Sequence, residues 1–150
     1  MDIVDRLRRD HEEIQTAFAD MLNSDIDDVE SYGRKFIDLM IQLEGHERAE
    51  EQTIYAQLQT DLDIRPIALQ AMEEHRISRM LMRDLSDVKI IEEVWLPKLV
   101  VVNNIVSLHI QIEEGNVIPL LEHLFDNSAR EKLDRDFDLI QKSTAHKLRT

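Results

Sequence analysis

Four segments of this chain space their apolar residues by three and four, and each of the four seams runs through a histidine. Leu7, His11, Ile14, Phe18 and Met21 form the first seam. Tyr32, Phe36, Leu39, Leu43, His46, Glu50 and Ile54 form the second. Ala68, Ala71, His75, Ser78, Met82 and Leu85 form the third, and Val102, Ile105, His109, Ile112, Asn116 and Leu120 the fourth. This spacing marks the inward stripe of a bundle helix, so each helix is expected to bury its imidazole. A chain of 150 residues suits one core, and only three Gly and three Pro favour long helices over a sheet broken by turns. The expected fold is all-α: a single domain over 1–150, with an up-down-up-down four-helix bundle over about 3–125 and an additional C-terminal helix over about 128–146.

Punctuation along the chain supports that division. NSDIDD at 23–28 is a connector rich in capping residues, Pro66 suits a first helical turn, and Pro119 is expected to bend the end of the fourth helix. Ser128 and Glu131 read as a capping box for a fifth, shorter helix striped by Leu133, Phe137 and Ile140. That stripe is expected to cover apolar surface of the bundle, with a homodimer or protein partner docked through the C-terminal helix as the alternative. The longest uncharged stretch, LVVVNNIVSLHIQI at 99–112, is shorter than the roughly 20 residues that span a bilayer and reads as a buried helix.

Charge and cysteine usage narrow the chemistry. A formal charge of −13 repels phosphate backbones and anionic lipid, so neither nucleic acid nor a membrane is an expected partner. With no cysteine, thiolate catalysis, disulfides and protein-ligated iron–sulfur clusters are excluded, and any metal is left to imidazole and oxygen. The charged amino terminus MDIVDRLRRDHEE does not read as a signal peptide, and a cytoplasmic location is the expectation. DHEE at 10–13 lacks the second histidine of a zinc-protease signature, Gln15 standing there instead. No phosphate-binding glycine loop or Ser/His/Asp arrangement is apparent.

Two of the seams are copies of one pattern. HERAEEQTIYAQL at 46–58 aligns with HIQIEEGNVIPLL at 109–121, matching His46 with His109 and Glu50-Glu51 with Glu113-Glu114. The partner histidines repeat as well, since His11 precedes His46 by 35 residues and His75 precedes His109 by 34. Two similar helical hairpins are implied. Residues four apart lie on one helix face with Cβ atoms about 5 to 6 Å apart, so a histidine and a carboxylate there reach the same ion or adjacent ones. Packed about a pseudo-twofold axis, the hairpins would set Glu50 and Glu113 between two metal ions on the order of 3.5 to 4 Å apart, with the histidines terminal. A donor set without sulfur favours two non-heme Fe ions over Mn or Zn. Glu51 and Glu114 are expected to stand behind the donors or face water, and Arg79 to face water.

His11, His46 with Glu50, His75, and His109 with Glu113 together resemble the hemerythrin-like, or HHE cation-binding, family of diiron four-helix bundles, over about residues 3–125. The resemblance implies that one iron takes His11 and His46 and the other His75 and His109, with Glu50 and Glu113 between. It also implies an O2-reactive centre binding O2, NO or another diatomic in sensing, storage or stress response. Oxygen-carrying members bear His-x-x-x-His on the third helix, whereas Arg79 stands four residues after His75 here. Glu47 is the candidate for the missing ligand, as in relatives that resemble iron and oxygen sensors. The alternatives are a diiron enzyme for peroxide reduction, iron oxidation or iron–sulfur repair, and a metal-free structural bundle.

Overall fold

The computed structural model describes residues 1–150, and every regular element in it is helical. Helix α1 (Ile3–Asn23) starts where the Asp2 carboxylate accepts the Val4 amide at 2.9 Å. Helix α2 (Val29–Glu50) is capped by Asp28, which accepts from the amides of Glu30 and Ser31. It runs on through a π-helical turn (Glu51–Tyr55) into the short α3 (Ala56–Leu58). Helix α4 (Arg65–Ser86) carries Pro66 in its first turn, where a missing N–H costs nothing. Helix α5 (Trp95–Asn116) breaks at Val117, and Pro119 sits in the first turn of α6 (Ile118–Leu124). Helix α7 (Asn127–Arg149) closes the chain.

The rods α1, α2, α4 and α5 make the bundle, with α1 against α2 and α5, and α4 against α5. Their buried side chains form two apolar clusters, each of 14 residues. One gathers Leu7, Ile54, Tyr55, Leu58, Ala71 and Leu121; the other gathers Ile14, Phe18, Phe36, Leu43, Met82, Trp95 and Val106. His11, His46, His75 and His109 lie between these sets along their helices, so a polar layer divides the core. Seams one to three are buried as expected.

Three expectations are corrected. On α5 the buried line is Leu99, Val102, Val106, His109, Ile110 and Glu113, while Ile105 and Ile112 are half-buried and Asn116 is exposed. The stretch 99–112 is apolar on every side, so several seams fit it equally well, and Val101 and Leu108 face solvent at 50% and 58% exposure. The last helix is not short: it spans 23 residues, supported by i,i+4 pairs such as Lys132–Asp136 and Lys142–Asp138. Its cap is Asp126, which accepts the Ala129 amide at 2.8 Å, in place of Ser128. Leu133 and Phe137 are buried where α7 packs on α1, α2 and the π turn. No helix is long and apolar enough to cross a membrane.

Candidate metal centre

The polar layer is assembled by helical spacing. His46 and Glu50 stand one turn apart on α2, as do His109 and Glu113 on α5, and His11 and His75 face them from α1 and α4. Glu50 Oε1 lies 3.2 Å from Nε2 of His46 and 3.2 Å from Nε2 of His75. Glu113 lies 2.8 Å from Nε2 of His11 and 3.3 Å from Nε2 of His109. Each glutamate therefore touches one histidine from each hairpin. Donor atoms of His11, His46, Glu50 and Glu113 fall within 4.8 Å of one another, as do those of Glu50, His75, His109 and Glu113. The two groups share both glutamates, and all six residues are buried.

Behind the imidazoles runs a second set of carboxylates. His46 Nδ1 donates to Asp10 at 3.0 Å, His75 Nδ1 to Glu51 at 2.8 Å, His109 Nδ1 to Glu74 at 2.7 Å, and His11 Nδ1 to Glu114 at 2.7 Å. The pattern is cyclic: α1 supports the histidine of α2, the turn after α2 that of α4, α4 that of α5, and α5 that of α1. A carboxylate on Nδ1 fixes the tautomer and points the Nε2 lone pair inward, the usual support of a metal-ligating histidine.

Without a cation the layer is poorly satisfied. Nε2 of His11 and His46, both oxygens of Glu50, and Oε1 of Glu113 and Glu47 are buried with no hydrogen-bond partner; the 2.8 Å approach of His11 to Glu113 is outside hydrogen-bonding geometry. The Nε2 atoms of His75 and His109 face each other at 3.0 Å. Two donors about 2.1 Å from one ion and at right angles stand about 3.0 Å apart, so this spacing fits a shared ion. Orphaned buried polar atoms cost about 1 to 3 kcal/mol each, and cations bound to these lone pairs would offset that cost.

Protonation reflects the same strain. Burial, together with the carboxylate of Glu113, raises Glu50 to about 8. Burial alone would raise Glu113 too, but Glu50, His109 and His11 hold it well below the usual carboxylate range, so Glu50 keeps the proton of the pair. Burial disfavours a charged His109, yet Glu113 and Glu74 outweigh it and raise the imidazole to about 11.

Glu47 stands apart from both donor groups. Its Oε2 accepts from Ser78 Oγ at 2.5 Å, its Oε1 lies 3.5 Å from Arg79 Nη1, and burial raises it to about 7. Arg79 does not face water: it is 9% exposed and donates to Glu51 at 2.7 Å, because two carboxylates from α2 and the π turn converge on it. Glu51 and Glu114 stand behind the donors. Sequence reading missed Asp10, Glu74 and Tyr55. The first two had a signal, an acidic residue immediately before the histidine that opens each hairpin. Tyr55 had none, since the π turn after Glu50 adds a residue to the helical period; both Ile54 and Tyr55 become buried, and the Tyr55 hydroxyl donates to Glu113.

A helical bundle whose core is split by a buried imidazole and carboxylate layer defines a cation-binding bundle protein. The family model of the hemerythrin HHE cation-binding domain matches residues 2–121, and the chain belongs to that family. No curated protein and no solved structure matches it.

Proposed function

We propose that the layer holds two iron ions, one between His11 and His46 and the other between His75 and His109, bridged by Glu50 and Glu113. The observation that carries this is the convergence of four inward Nε2 atoms, each backed by a carboxylate, on two glutamates with orphaned oxygens. Two histidines and shared carboxylates with no sulfur suit non-heme iron better than zinc, which prefers closed four-coordinate sites, and leave positions for an exogenous ligand; Mn is the nearer substitute. Bound iron would supply affinity for O2, NO or another diatomic, and the chain would act in sensing, storage or stress response. Glu47, whose buried Oε1 takes no hydrogen bond and has only the Arg79 guanidinium nearby at 3.5 Å, is the further ligand in this reading.

Reconstitution with ferrous iron under anaerobic conditions should give two irons per chain, and His75→Ala should lose at least one. Full iron retention by that variant overturns the assignment. Sustained consumption of peroxide or ferrous iron would favour the diiron enzyme instead, and a thermal midpoint unchanged by chelation would favour a metal-free structural role. Association through the C-terminal helix is left to its outer face, where Leu139 and Leu148 are exposed.

A further inference from the structure

The carboxylates that back the two hairpins are held differently. Glu74 accepts from His109 and, at 3.4 Å, from Gln70 of its own helix. Asp10, its counterpart in the repeat, accepts on one oxygen from both His46 Nδ1 at 3.0 Å and Gln141 Nε2 at 2.9 Å. Gln141 belongs to α7, which stands outside both hairpins and beyond residues 2–121 of the family domain.

Helix α7 closes over the His11–His46 half through a small set of contacts. Leu133 and Phe137 are its buried apolar residues. The remaining hold is polar: Arg6 donates to Asp134 at 2.8 Å and pairs with Asp138 at 3.1 Å. The two helices approach closely at Gly45, one residue before His46, where a Cβ would stand 3.5 Å from the Gln141 carbonyl oxygen. Two of the inner contacts fall on one imidazole and its support. Phe137 meets the His46 ring edge-on with centroids 5.6 Å apart, and Gln141 binds the carboxylate behind that ring. Nε2 of His46 is buried with no hydrogen-bond partner, so hydrogen bonding tethers the ring through Nδ1 alone. An ion on Nε2 would fix the ring at both ends, and with it the surface on which Phe137 and Gln141 dock.

We propose that docking of α7 and occupancy of the His11–His46 half are one linked equilibrium, joined at Asp10 by Gln141: an ion there holds α7 down, and release of α7 loosens that ion. The link rests on the two-ion reading above. Coupling free energy is reciprocal, so the factor by which the ion disfavours opening of α7 equals the factor by which docked α7 tightens the ion. The His75–His109 half is outside the link, because its carboxylates Glu51 and Glu74 take their hydrogen bonds from His75, Arg79, His109 and Gln70 and none from α7. The C-terminal helix thereby carries the state of a buried centre to the protein surface.

Hydrogen exchange on the full chain, metal-free and iron-loaded, reads α7 in peptides spanning 133–145, with peptides of α5 as the internal control. In the wild type iron should slow exchange in α7 by about tenfold or more, the scale of one hydrogen bond to a charged group. Gln141→Met keeps side-chain length and helix propensity and loses the donor. In that variant α5 should slow with iron as in the wild type, while the slowing of α7 falls to about twofold or less. Competition against a chromophoric chelator should show one of its two irons bound about tenfold more weakly and the other unchanged. Gln141→Ala, which removes the stem as well, should give the same pattern. Two irons in the wild type, with α7 slowed in both variants as in the wild type or with both irons held as tightly by them, overturn the link and leave the two-ion reading standing. Fewer than two irons in the wild type overturn that reading and the link with it.

Discussion

Replacing the outer carboxylates one at a time asks whether they tune a metal or only satisfy imidazole nitrogens. Asp10→Asn, Glu51→Gln, Glu74→Gln and Glu114→Gln each keep an oxygen that can accept from Nδ1 and remove the charge. A carboxylate that orients a ligating histidine and raises its basicity contributes about 10- to 100-fold in metal affinity, or about 1.4 to 2.7 kcal/mol. The four lie at graded depths, with side-chain exposures of 6% for Asp10, 14% for Glu51, 25% for Glu74 and 40% for Glu114. Water screens the shallow ones, since a charge pair about 4 Å apart is worth about 1 kcal/mol in bulk water and about 4 kcal/mol at an effective dielectric near 20. Asp10→Asn should therefore approach the hundredfold end, and Glu114→Gln should fall at about tenfold or below, with the other two between. Competition against a chromophoric chelator reads the affinities, and circular dichroism of the metal-free variants checks that the fold persists. Equal losses at Asp10 and Glu114, or losses under about threefold at all four, would refute the reasoning.

Other consequences concern pH and packing. In the metal-free protein Glu50 and Glu47 are raised to about 8 and about 7, so each binds its proton more tightly folded than unfolded and costs stability as pH climbs from about 4.5 through those values. His109, raised to about 11, contributes stability that is full below about 6.5 and is lost as pH rises toward 11. Both act in one direction, and the lowered carboxylates Asp10, Glu51, Glu74 and Glu113 lose their contribution only in more acid solution. Melting curves should thus place the metal-free midpoint higher near pH 5 than near pH 8, and the metal-loaded midpoint the other way round because protons and ions compete for the same atoms. Parallel trends would count against the layer as the metal site. Phe137→Ala, at a fully buried residue packed on His46, should cost about 3 to 5 kcal/mol in urea unfolding and expose α7 to proteolysis. Tyr55→Phe leaves Glu113 short of a buried donor and should cost about 1 to 3 kcal/mol by the same assay, with a negligible change arguing that the contact is incidental.

What could be read from the sequence is what a single helix encodes. His46 with Glu50, and His109 with Glu113, are adjacent by the pitch of one rod, so their pairing was legible, and so were the seams of α1, α2 and α4 that bury them. Partners supplied by another rod were not legible. Arg79 looks like a surface residue from α4 alone, yet its acceptor Glu51 and the nearby carboxylate of Glu47 come from the π turn and α2. Asp10 serves His46 across the α1–α2 interface rather than its own neighbour His11. The seam of α5 was misplaced for a different reason: a helix apolar on every side gives periodicity nothing to select, and only packing against α1 and α4 fixes which residues turn inward. The duplication deepens this limit. Two hairpins with the same donors predict two equivalent halves, and what makes them differ is Phe137, Gln141 and Asp134 of α7, outside the repeat, together with exchanges within it such as Leu7 for Ala71 and Glu47 for Ile110. The repeat accounts for the donors; the residues that break it give the two halves different cover.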